Sequence, residues 1–141
     1  MSLVFPPSYL RFIELFNDEQ FWESHEVLEQ PWRENGSLFY KGMIIYASAF
    51  VHTQRGNPVG VRKQMVKAAG YLGMYAPHYM GLDVDHILSH GKVCLAVLDR
   101  TPPARGEALI SAIPFVSLRL EEHLVRGDEP EFDTPDPLAF A

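Results

Sequence analysis

The sequence predicts an all-α protein: an antiparallel bundle of about five helices with a short extended C-terminal segment. Three observations predict it. Apolar residues recur at helical spacing in successive stretches. Each stretch opens on a residue able to cap a helix, namely Ser8, Asn17, Ser37, Asn57 and Asp83. The third stretch is apolar on nearly every side, as the central helix of a bundle must be.

Pro6-Pro7 ends an extended leader, and Ser8 can cap a first helix over 9–16 with Phe12, Leu15 and Phe16 on its packed face. The second helix is expected over 17–33. Asn17 stands as its N-cap, and Gln20 follows three residues on, as in a capping box. Phe21, His25, Leu28 and Trp32 fall within one arc of that helix. Pro31 removes a backbone hydrogen bond near its end, and Asn35-Gly36 signals a turn.

Ser37 can cap the third helix, over 38–55. Phe39, Met43, Tyr46 and Phe50 form its main stripe, and Ile44, Ile45, Ala47, Ala49 and Val51 extend the apolar surface around it. Lys41, Ser48, His52 and Arg55 mark the least apolar side. Gly56-Asn57-Pro58 closes this helix and opens a fourth, over about 58–76, with Val61, Met65, Ala68, Ala69, Leu72 and Ala76 on one arc. Gly70 and Gly73 weaken its propensity while leaving room for a close helix crossing.

The stretch 77–82 breaks the pattern, and Asp83 can cap a fifth helix over 84–99, faced by Ile87, Leu88, Cys94, Leu95 and Leu98. Thr101-Pro102-Pro103 reads as a stop. One or two helical turns are expected over 107–113, then an apolar strap over 114–120. From Gly127 on the chain is acidic and rich in proline, the composition of a solvated tail. The expected division is a helical domain over 1–126 and a tail over 127–141.

Composition narrows the function classes. With 141 residues, 47% of them hydrophobic, the chain suffices for one domain with a sizeable core. A formal net charge of -6 argues against general nucleic-acid binding and against attraction to anionic membranes. Cys94 is the single cysteine, so neither an intrachain disulfide nor a thiolate cluster can form. No basic segment leads an apolar one at the start, and no apolar run is long enough to span a bilayer. A soluble cytoplasmic protein is the expectation. The aromatic content of 12% is compatible with a homodimer.

The polar residues that need explaining lie on the second and third helices. His25 sits in the middle of an apolar arc, where an imidazole must be hydrogen-bonded, metal-bound or at a cleft. Glu29 follows it by one turn, so the two side chains can share a partner, while Glu26 lies further round. One role is a divalent metal held by His25 and Glu29, with His52 as the third ligand and Glu26 as another candidate for that place. The paired Glu-x-x-His motifs of di-iron bundles and the H-E-x-x-H motif are both missing. A second role is a structural or small-ligand network in which Glu29 orients His25. A third is catalysis by the His–Glu pair without metal.

Lys41 could hold an anion or pair with Glu26 or Glu29, or simply snorkel to water. Trp22 and Trp32 read as core or pocket wall. His86 and His90, one turn apart on the side opposite the Ile87/Leu95 stripe, form a weaker metal candidate. Cys94, on an apolar face, reads as a buried inert thiol.

The runs FWESHEVLEQPWR and FYKGMIIYASAFVHTQRGNP resemble DUF309, a family of small all-helical bacterial and archaeal proteins of unknown function. The resemblance covers roughly residues 12–75. It rests on Phe21-Trp22, His25-Glu26, Glu29, Trp32, Phe39, Lys41-Gly42, Ala49, His52 and Arg55-Gly56-Asn57. It implies a compact antiparallel bundle in which His25, Glu26, Glu29, Lys41 and His52 belong together, and it supplies no activity. Gln30-Pro31 departs from the family pattern and leaves the end of the second helix open. Three function classes remain: a small-ligand-binding or structural bundle centred on His25, Glu29 and His52, a metal-dependent hydrolase-like enzyme using the same residues, and a protein-interaction module.

Overall fold

The computed structural model describes residues 4–100 and 104–140; the stop expected at Thr101-Pro102-Pro103 lies outside the described residues. The fold is all-α. Its centre is α3 (Leu38–Gln54), where Phe39, Met43, Ala47 and Ala49 are completely buried and Tyr40, Tyr46 and Phe50 nearly so. In the body of the helix only Lys41, Ser48 and His52 keep partial exposure, the side expected to be least apolar.

The other helices cover α3 in turn. From α1 (Pro7–Asn17), Phe16 stacks on Tyr46 at 5.6 Å and meets Phe50 edge-on at 5.5 Å. From α2 (Phe21–Asn35), Phe21 stacks on Phe50 at 5.0 Å, and Leu28 is fully buried. Val61, Met65, Ala68 and Leu72 are the buried apolar face of α4 (Pro58–Leu72), and Ile87, Cys94 and Val97 lie on the face of α5 (Val84–Leu98). Leu109 of the short α6 (Glu107–Ala112) is fully buried. Each large apolar side chain buried in this way contributes about 1.5–3 kcal/mol, and favourable aromatic pairs add about 0.5–1.5 kcal/mol.

Two close approaches bring α4 onto α3. A Cβ on Gly42 would stand 2.7 Å from a Leu72 methyl, and one on Gly60 would stand 2.3 Å from the His52 ring. These contacts join the start of α3 to the end of α4, and the end of α3 to the start of α4, so the pair is antiparallel. Gly70 and Gly73 do not serve the crossing, because a Cβ on either would meet nothing within 4 Å. Gly70 is exposed on α4, and Gly73 follows its last residue.

Three expected caps are present: Ser37, Asn57 and Asp83 accept the N–H groups of Tyr40, Gly60 and His86. Two are not. Asn17 is the last residue of α1, and its amide grips both backbone groups of Leu118, accepting from the N–H at 2.6 Å and donating to the carbonyl at 2.8 Å. Gln20 precedes α2 without a side-chain cap. Ser8 lies inside α1, where its N–H and hydroxyl both donate to Asp136, at 2.8 and 2.6 Å. A carboxylate from the far end of the chain thus serves the positive end of α1.

Between α4 and α5 the chain makes a small hairpin, β1 (His78–Tyr79) against β2 (Leu82–Asp83). Its turn places Met80 at φ 49° and Gly81 at φ 79°, the left-handed pair of a type I′ turn. A left-handed methionine is strained by about 1–3 kcal/mol. It is held on both sides: Tyr9 donates its hydroxyl to the Met80 carbonyl at 2.9 Å, and Glu129 accepts the Met80 N–H at 3.0 Å.

The acidic C-terminal stretch is stitched to the bundle through buried carboxylates, where its composition suggested solvation. Glu129 accepts three N–H groups, from Met80, Arg126 and Gly127. Glu131 accepts the hydroxyls of Tyr79 at 2.7 Å and Ser37 at 2.9 Å. Glu129, Glu131 and Asp136 are all buried. Arg126 donates to the carbonyls of Tyr75, Ala76 and His78, tying the entry to the hairpin. Among the described residues no helix is long and apolar enough to cross a membrane.

Burial pushes the Glu129 carboxyl up, but its N–H bonds outweigh that and hold it below the ordinary value of 4.5. A carboxyl lowered by folding stabilises the protein above the ordinary range, and that stability disappears as pH falls through the folded value. Glu129→Ala leaves three N–H groups without their acceptor, and we expect a loss of roughly 2–4 kcal/mol in urea unfolding. Glu129→Gln is expected to show a shallower stability loss below pH 4.5 than the parent chain. Identical acid profiles would contradict the assignment.

Candidate functional site

On α2, Phe21 and Leu28 point into the core and Trp22, Glu26 and Arg33 are left on the outer surface. Trp22, His25, Glu26, Glu29, Gln30 and Arg33 line one open cleft of about 480 Å³. Trp22 is 48% exposed, which makes it wall and not core. The His25 ring lies 5.3 Å from the indole, and its Nδ1 is buried without a hydrogen-bond partner. Glu29 accepts from Arg33 one turn on, at 2.5 Å. Glu26 is exposed and forms no ion pair among the described residues.

Besides Arg33, two cations contact the rings of α2. The Arg55 guanidinium lies 5.8 Å from the Trp22 ring centre. Lys41 places its ammonium 5.4 Å from Trp32 of α2 and 5.1 Å from Tyr71 of α4. It pairs with neither Glu26 nor Glu29, because its stem is drawn between those rings and Arg33 has taken Glu29. The contacts Trp22–Arg55 and Trp32–Lys41 also fix α2 antiparallel to α3.

His52 lies at the other end of the α3–α4 seam from Lys41. Its ring packs on Gly60, and the Asn57 amide lies 3.3 Å from its Nδ1. Burial, followed by the nearby charges of Arg55 and Lys63, lowers its pKa below the usual 6.5. The neighbours of His52 are thus Asn57 and Gly60, while those of His25 are Trp22 and the α2 cleft. Among the described residues no group of three His, Cys, Asp or Glu side chains stands together in a way that could hold a metal ion.

His90 is not on an outer face with His86. His86 is exposed, whereas His90 is buried and stacked on Phe50 at 5.6 Å. Its Nε2 donates to the Pro114 carbonyl at 2.7 Å, which leaves Nδ1 to accept the Tyr46 hydroxyl at 2.8 Å. The ring is therefore a neutral bridge between α3 and the strap after α6. Ile87, His90, Cys94 and Val97 recur at helical spacing, a signal for this burial that the Ile87/Leu95 stripe obscured. Cys94 is a buried free thiol, pushed up to about 12 by burial, as befits an inert core position.

The family described as "Domain of unknown function (DUF309)" matches residues 9–64, which span α1 from Tyr9, α2, α3 and the first half of α4. The α2 cleft, Lys41 and His52 all fall inside the match. No curated protein and no solved structure matches the chain.

Burial lowers the His90 pKa below 6.5. The unfolded chain therefore takes up this proton at higher pH than the folded one, and stability falls as the pH drops from about 6.5 toward the folded value. In an NMR titration the His90 ring is expected to show a midpoint below 6.5, and a midpoint at or above that value would refute the neutral bridge. Tyr46→Phe leaves the buried Nδ1 without its donor and is expected to cost about 1–3 kcal/mol in thermal or urea unfolding.

Proposed function

We propose that this chain is a ligand-binding helical bundle acting through the α2 cleft, and that the ligand is a small organic cation. The observation that carries the reading is Trp22: a tryptophan left nearly half exposed, whose ring already attracts one cation, Arg55, and which shares its cleft with the carboxylates of Glu26 and Glu29. The face of an indole ring is negative and attracts cations, more strongly as they are desolvated. Glu26 is free to pair with an incoming charge, and the net charge of -6 draws cations toward the surface.

His25 supports the same reading. Nδ1 buried without a partner is a cost to stability of roughly 1–3 kcal/mol, which is tolerated more often where a wall serves recognition.

The chain has two tryptophans, so Trp32→Phe leaves Trp22 as the single indole reporter. Titration of that variant with choline, agmatine and spermidine is expected to give saturable fluorescence changes at millimolar or lower concentration, with neutral analogues silent. Glu26→Gln together with Glu29→Gln is expected to weaken the response about five-fold or more. Absence of saturation up to about 10 mM for all three cations would overturn the proposal.

A further inference from the structure

A second cavity lies between α4 and α5 and shares no residue with the α2 cleft. It holds about 170 Å³, close to the cavity of about 150 Å³ that takes up benzene in an engineered core. Tyr46, Met65 and Ile87 contribute to a mainly apolar lining. Small residues keep the space open: a Cβ on Gly91 would meet only the Met65 sulfur, at 4.0 Å, and one on Gly73 would meet nothing within 4 Å. Gly91 lies in the middle of α5, where glycine is destabilising relative to alanine. Stability alone would put a larger side chain there.

Polarity enters at one point. The Tyr46 hydroxyl proton is committed to His90, so this residue does not offer it to a ligand. Lys92 lines the mouth, is exposed, and forms no ion pair among the described residues. An apolar space the size of one ring with a free ammonium at its entrance is complementary to a molecule with an apolar body and an anionic head. We propose that the α4–α5 groove binds a small free carboxylic acid, its ring or short alkyl body resting on Tyr46 and Met65 and its carboxylate at Lys92.

Three probes with the same body and different heads test this on the full chain: 3-phenylpropionate, 3-phenylpropanol and 3-phenylpropylamine, followed by amide chemical shifts in α4 and α5. The acid is expected to bind about three-fold or more tightly than the alcohol, with the amine weakest. Lys92→Gln is expected to reduce the acid to the level of the alcohol. Gly91→Leu and, separately, Ala69→Leu at the exposed rim of the groove are expected to weaken all three probes about ten-fold. Circular dichroism checks that each variant folds; Ala69→Leu decides the matter if Gly91→Leu does not. The proposal is overturned if the amine binds as tightly as the acid, if no probe shifts the α4 and α5 amides, or if folded Ala69→Leu binds as the parent chain does.

Discussion

α3 carries apolar side chains around nearly its whole circumference, and covering them takes helices on more than one side. Aromatic rings do most of this: Phe16 from α1 and Phe21 from α2 converge on Tyr46 and Phe50, and His90 of α5 stacks on Phe50 from another direction. On the α4 side, cover depends on the absence of side chains. Gly42 and Gly60 let Leu72 and the His52 ring close the gap. Lys41 and His52 lie along the seam where α4 meets α3, while the Tyr46 hydroxyl turns to His90. There Lys41 is met by two rings and His52 by an asparagine and a glycine backbone. The residues that resemble the family pattern serve first to join helices, and the cleft outside them is formed by what α2 turns away from the core.

A second constraint comes from the C-terminal stretch. Glu129, Glu131 and Asp136 are buried, and their partners are N–H groups and hydroxyls. Such donors satisfy a buried carboxylate without the desolvation of a second ion. Each carboxylate also satisfies donors that the bundle exposes at its ends: the first turn of α1, the cap of α3, and the strained turn at Met80. Asn17 does the same for the strap before them. The acidic residues of this stretch are therefore partly structural.

The helices were legible because helical periodicity and capping are local. Ser37, Asn57 and Asp83 sit three residues before the N–H groups they accept, and Ser37 keeps its cap while its hydroxyl donates to Glu131. Asn17 and Ser8 have the same chemistry but find partners 101 and 128 residues away, which no local pattern reveals. The α2 cleft was legible for a similar reason: Trp22, His25, Glu26 and Glu29 share one helix, and one helix fixes their spacing. The surroundings of Lys41 and His52 depend on how α2 and α4 rotate against α3. That rotation is set by packing, and Gly42 and Gly60 are among its traces in the sequence. His90 shows the opposite case, a polar residue inside an apolar arc that satisfies both ring nitrogens through groups on α3 and the strap.

Native-state amide exchange across residues 43–51, measured in increasing urea below the unfolding transition, tests the role of α3 most directly. If every other helix depends on covering it, these amides exchange only through global unfolding, with the full urea dependence of that transition, while amides of α2 and α5 open earlier. Exchange of the α3 amides through a local opening with little urea dependence, while α2 or α5 stays protected, would contradict it.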